Sequence, residues 1–154
     1  MTTTYKQDKK TNFSFFVFHV SLLLMFTSLV SADFSRAFSS QIVSDNETGL
    51  QWQDNEDVLK QYMNLEDAIN YCETLTLGSH NDWRLPNIRE LKSIVDDTKF
   101  DPSMSAMFRF AKSGTYFSST TSDYNGYVWY VSFIRGNHST GSGSRYIRCV
   151  RGGE

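Results

Sequence analysis

The chain has 154 residues, with 15 Lys/Arg against 17 Asp/Glu for a net charge of −2, and two cysteines. That length suits one domain plus a leader rather than several domains. The slightly acidic balance argues against nucleic acid as a partner, and the absence of any His-x-x-His or Cys/His cluster argues against zinc.

The first 32 residues read as a secretory signal peptide. Lys6, Lys9 and Lys10 precede an uncharged run from Thr11 to Ala32 that ends Val30-Ser31-Ala32, the n-region, h-region and small-residue cleavage pattern. Cleavage is expected after Ala32; an uncleaved anchor is the alternative, since the run is close to spanning length. The mature chain is then about 122 residues, 154 less 32, with no second apolar run of that kind and no membrane contact expected after cleavage. It carries 12 basic and 16 acidic side chains. Residues 33–102 hold 6 Lys/Arg against 14 Asp/Glu, and residues 103–154 hold 6 against 2. The C-terminal half therefore suits an anionic ligand, or simply a solvated surface.

Residues 33–40 are polar and short of pattern, and are expected to be a flexible lead-in. Gln41–Val43 and Leu50–Gln53 form a predicted hairpin around Asp45–Gly49. Asp54 to Asp57 is expected as an exposed acidic loop. Asn64 caps a first helix with Glu66 and Asp67 in its first turn, and Leu65, Ala68, Ile69, Cys72 and Leu75 form its apolar stripe. Gly78 is expected to end it.

Gly78 to Leu91 holds a loop, an apolar Trp83, Pro86 and a fresh helix start, and is the expected hub of the fold. Asn87 with Glu90 fits a capping box. Ile88, Leu91, Ile94 and Val95 are the buried stripe of the second helix, which stops at Asp96–Pro102. Met104, Met107, Phe108 and Phe110 are expected to fill gaps under a loop. Strands are predicted at Tyr116–Ser119 and Tyr127–Phe133, and at Arg145–Val150, which should pair antiparallel with 127–133 across the loop from Gly136 to Ser144.

In an oxidising compartment Cys72 and Cys149 are expected to pair, tying the first helix to the last strand; two buried free thiols are the alternative. Asn81 and Asp82 suit loop capping better than calcium, for which six to eight oxygens would be needed. Arg84 is expected to pair with a nearby acid. Ser118, His138 and Asp123 make a triad only on paper, since no nucleophile elbow surrounds Ser118. The arginines at 135, 145, 148 and 151 are the better candidates. The predicted hairpin places Arg135 and Arg145 together at the base of a loop containing Asn137, where guanidinium groups could hold sulfate, phosphate or carboxylate. Alternation puts Arg145 and Arg151 on the face of Cys149 and Arg148 on the other. Structural ion pairs are the competing role for these arginines.

Taken in order, Thr48–Gln53, Ala68–Cys72, Asp82–Asn87 with Glu90-Leu91, Tyr116–Thr120, Val128–Phe133 and Arg148–Arg151 resemble the Lcl C-terminal domain family, over nearly all of 41–152. That family is bacterial and exported, and takes its name from a collagen-like adhesin. The resemblance implies an α+β domain of C-type-lectin-like kind, with two helices on twisted antiparallel strands and a helix-to-last-strand disulfide. It also implies binding of sulfated polysaccharide. The expectation is therefore a non-catalytic, exported module in the periplasm, at the cell surface or in the medium. It would bind an anionic glycan through Arg135, Asn137 and Arg145, with no cofactor. Two alternatives stand beside it: a sulfatase-modifying-type enzyme, which would need a reactive thiol, and an envelope module that binds protein through Tyr124, Tyr127 and Tyr130. No collagen-like repeat is present in this sequence.

Overall fold

The computed structural model describes residues 1–2, 34–37 and 40–153. The expected leader from residue 3 onward and its expected cleavage point after Ala32 lie outside the described residues. Among the described residues the protein is α+β, with two helices and two mostly antiparallel sheets. The first sheet joins β1 (Phe34–Ser35), β2 (Ile42–Asp45), β3 (Leu50–Gln53) and β9 (Val150–Gly152) in the order β1-β2-β3-β9. The second joins β4 (Tyr62–Met63), β5 (Thr115–Thr121), β6 (Val128–Ser132), β7 (Asn137–Gly141) and β8 (Arg145–Tyr146) in the order β4-β8-β5-β6-β7. Only the β5–β8 pair is parallel.

The hairpin β2–β3 turns where predicted. Asp45 closes the turn by accepting the Glu47 and Thr48 amides and the Thr48 hydroxyl, and Gly49 takes φ +71°. Helix α1 (Leu65–Thr74) starts on Asn64, whose side chain accepts the Asp67 amide. It ends at Leu75, three residues before Gly78: Leu75 turns extended, and the Thr74 hydroxyl donates back to the Asn70 carbonyl. Such back-bonding competes with the helix ladder. Helix α2 (Ile88–Ser93) opens with the full capping box of Asn87 and Glu90.

The stretch between the helices is the expected hub. Trp83 is 2% exposed, and its indole donates to the Leu77 carbonyl. Arg84 exchanges backbone bonds with Val150 of β9, both 2.9 Å. Its guanidinium grips Glu90 at 2.7 and 2.8 Å, so the acid that caps α2 also anchors it to the loop. Pro86 accepts from Ser119 of β5. The Cys72–Cys149 disulfide is present, with both residues fully buried. It sits among Ala68, Trp83, Leu85, Phe117 and Ile147 in one of two apolar clusters. The other holds Trp52, Leu91, Ile94, Tyr116 and Val131.

Four further expectations about the fold are corrected. The partner of β6 is β7, built inside the segment read as loop, because an edge strand spelled Asn-His-Ser-Thr-Gly buries too little to show alternation. Residues 145–150 are not one strand: β8 and β9 join different sheets, and Ile147, Arg148, Cys149 and Val150 are all buried. The acidic run is not all exposed, since Asp54 is fully buried and a 3₁₀ turn follows it at Glu56–Leu59. The lead-in is docked at its start: β1 pairs with β2, and Phe34 meets Phe108 edge-on at 5.6 Å. In the segment before α2's sheet partners, Met104 and Phe108 are core, while Met107 is exposed.

Candidate functional site

Residues directly opposite in a sheet share a face, so the β5–β6–β7 register sorts the site. One face carries Tyr116, Val131 and His138, with Trp129 and Thr140 alongside. The other carries Phe117, Tyr130 and Ser139, flanked by Val128 and Gly141 on one side and Ser132 and Asn137 on the other. Helix α2 shares a cluster with the first face, and α1 with the second.

Arg145 lies on the second face. Its guanidinium carbon is 4.0 Å from the Tyr130 ring centroid and 5.4 Å from that of Phe117. Gly141 admits it, for a Cβ there would lie 2.8 Å from Arg145 Nη2. Its Nη1 donates to the Ser144 carbonyl, whereas its Nε is buried without a hydrogen-bond partner. Among the described residues no carboxylate lies in ion-pair reach of it. Beside it opens a groove of about 310 Å³ lined by Asn64, Leu65, Glu66, Phe117, Gly126, Val128 and the Gly141–Gly143 turn. An arginine stacked on aromatic rings has its fork oriented in advance for a planar oxyanion.

Asn137 falls on the same face of the ribbon as Arg145, exposed, one pair beyond Ser139. Arg135 does not join them. It sits exposed in the β6–β7 turn, at the opposite end of β7 from Gly141, roughly 16 Å away at about 3.3 Å per residue. The pairing of β6 with β7, rather than with 145–150, is what separates the two arginines.

The other two arginines of the group are structural. Arg148 is fully buried and paired with Asp54 at 3.0 Å, so it does not alternate outward. It also donates to the Gln53 and Phe110 carbonyls, both 2.6 Å, and lies over the Phe108 ring. Burial pulls its guanidinium down to about 10, with Tyr116 opposing that shift, which leaves it charged near neutral pH. Asp54 also pairs with Arg36 and accepts the Arg109 and Phe110 amides. Arg151 pairs with Asp82 at 2.7 Å and also reaches Gln51. Its hydrogen bond, against a small opposing effect of burial, holds the Asp82 carboxyl below its usual range.

The remaining candidates are placed elsewhere. The Ser118 hydroxyl is buried and donates to the Trp129 carbonyl at 2.7 Å. His80 closes a bridge with Leu77. Among the described residues no group of three or more His, Cys, Asp or Glu could hold a metal ion, and no helix is long and apolar enough to cross a membrane. Tyr124 and Tyr127 touch edge-on at 5.8 Å, but Tyr130 lies under Arg145 instead. A cleft of about 430 Å³ near the lead-in mixes Arg36, Lys60 and Arg109 with Glu56 and Asp57. Sequence reasoning missed one surface entirely: a groove of about 190 Å³ between α2 and the ribbon, lined by Ile88, Arg89, Lys92, Trp129 and His138. Its halves are some forty residues apart, and only the spacing of Arg89 and Lys92 on one helix flank was readable.

No curated protein matches the chain. The model of the Lcl C-terminal domain matches residues 41–151, which takes in both helices and every strand described except β1 and the last residue of β9. The chain therefore belongs to the Lcl C-terminal domain family.

Proposed function

We propose that the protein is an exported, non-catalytic binding module for an anionic carbohydrate, built on a C-type-lectin-like scaffold. The observation that carries this reading is Arg145, stacked on Tyr130, without a carboxylate partner among the described residues and beside an open groove. A guanidinium so held offers parallel N–H donors to sulfate or carboxylate, and charge-assisted bonds of this kind are the stronger class. Asn137 and Ser139 supply hydroxyl-seeking polar groups along the same face. Arg135 serves only a ligand long enough to run the length of β7. The leader, the disulfide and the family all suit export.

Titration with a sulfated oligosaccharide tests the reading. Arg145→Gln should weaken binding by about tenfold or more, the equivalent of roughly 1.4 kcal/mol for one lost charge-assisted contact. Arg135→Ala should matter for long chains and not for short ones. Unchanged affinity in Arg145→Gln would contradict the assignment.

A further inference from the structure

We propose that the groove between α2 and the β6–β7 ribbon is a second binding site, taking a small oxyanion carried on a flat ring. It lies on the opposite face of the ribbon from Arg145 and stands independently of the reading above.

Arg89 and Lys92 are three apart on α2 and so share one flank. Both are exposed, and neither makes a hydrogen bond or ion pair with another described residue. Facing them, Trp129 and His138 bring their rings to 5.7 Å at 41°. Ile88 completes the lining, and no carboxylate is in it. The nearest acid along the helix, Glu90, is occupied by Arg84 and the Asn87 amide.

Two cations unpaired among the described residues, beside an indole and with no described carboxylate in the lining, fit a ligand with two parts. The oxyanion would sit between Arg89 and Lys92, and the ring would lie on Trp129. The volume of about 190 Å³ suits one six-membered ring with its substituent, since an apolar cavity of roughly 150 Å³ holds a benzene. A bare anion would leave the indole face unused, and an apolar ring alone would leave both cations unanswered. The chemistry shared by aryl phosphates and aryl carboxylates meets both requirements.

The tryptophans make the test specific. Trp52 is 0% and Trp83 2% exposed, so collisional quenching by acrylamide reports on Trp129. Phenyl phosphate or benzoate should protect Trp129 saturably, and the stronger of the two identifies the preferred oxyanion. Arg89→Gln with Lys92→Gln should raise the concentration needed by about tenfold or more, while Arg145→Gln leaves it unchanged. Trp129→Leu, followed by calorimetry, should weaken phenyl phosphate but not inorganic phosphate. Arg89 and Lys92 are exposed and Trp129 and Arg145 half-buried, and thermal melting confirms that each variant is folded. The proposal is overturned by no protection from either compound, by equal protection in the Arg89/Lys92 variant, or by inorganic phosphate protecting as well as phenyl phosphate. Loss of phenyl phosphate binding with glycan binding intact, or the reverse, tells a failure of this site from a failure of the Arg145 site.

Discussion

Replacing Asp54 with Ala removes the one carboxylate shared by two buried arginines. Arg148 is fully buried, so water cannot take over its charge, and the Arg36 side chain, 5% exposed, meets solvent only in the cleft it lines. Breaking a buried pair by deleting one partner destabilises by about 3–5 kcal/mol. The Arg109 and Phe110 amides, at 2.9 and 3.1 Å from the carboxylate, lose their acceptor as well, at about 1–3 kcal/mol for a buried orphan. These effects overlap, because all act through one side chain, so a loss of at least about 4 kcal/mol is expected. That is a large part of the stability of a domain this size. Arg36→Ala should cost much less, since Arg148 keeps its partner. Urea unfolding followed by the fluorescence of buried Trp52 and Trp83 measures both, provided the slope with denaturant is unchanged. A loss under about 1 kcal/mol in Asp54→Ala, or an equal loss in Arg36→Ala, would refute the account of this network.

Reducing Cys72–Cys149, or replacing both by Ala, frees a sequence separation of 77 residues and should cost about 4 kcal/mol by the chain-entropy model, read as a fall in the urea midpoint. Burial raises the Glu90 carboxyl, but the bonds from Arg84 and the Asn87 amide outweigh it and leave the group below its usual range. A depressed carboxyl contributes stability that is present above its unfolded value and lost as pH falls through its folded value. Glu90→Gln should therefore be less stable at neutral pH and show a shallower acid loss below about pH 4.5, measured by melting across pH. Gly152→Ala forces a side chain onto φ +73° with its Cβ 2.8 Å from the Gly49 carbonyl oxygen, a backbone atom; a loss of about 1–3 kcal/mol is expected from thermal unfolding.

Local chemistry in the sequence was enough for the helix starts, since Asn64 and Asn87 each act within three residues of themselves. The stripe through Ala68 and Cys72 and the turn at Asp45–Gly49 were legible for the same reason. Asp54 and Arg148 were not, because they meet across 94 positions, and a run of acids looks solvated until its partner is known. Strand β7 was hidden by its position at a sheet edge, where polar residues with no apolar period can still complete a ladder. That one omission is why Arg135 and Arg145 were expected side by side, and it also concealed the contact between the His138 and Trp129 rings. Phe34 and Arg36 were hidden differently: two residues of strand carry no period at all, and their role comes from Phe108 and Asp54 far along the chain.

Retention on a sulfated-glycan column at low and at physiological salt tests the central claim most directly, comparing the protein with Arg145→Gln. Retention should fall with salt, as screening of exposed charge requires, and should be largely lost in the variant while its unfolding midpoint is unchanged. Retention equal in the two proteins, or absent from both at low salt, would contradict a binding face organised around Arg145.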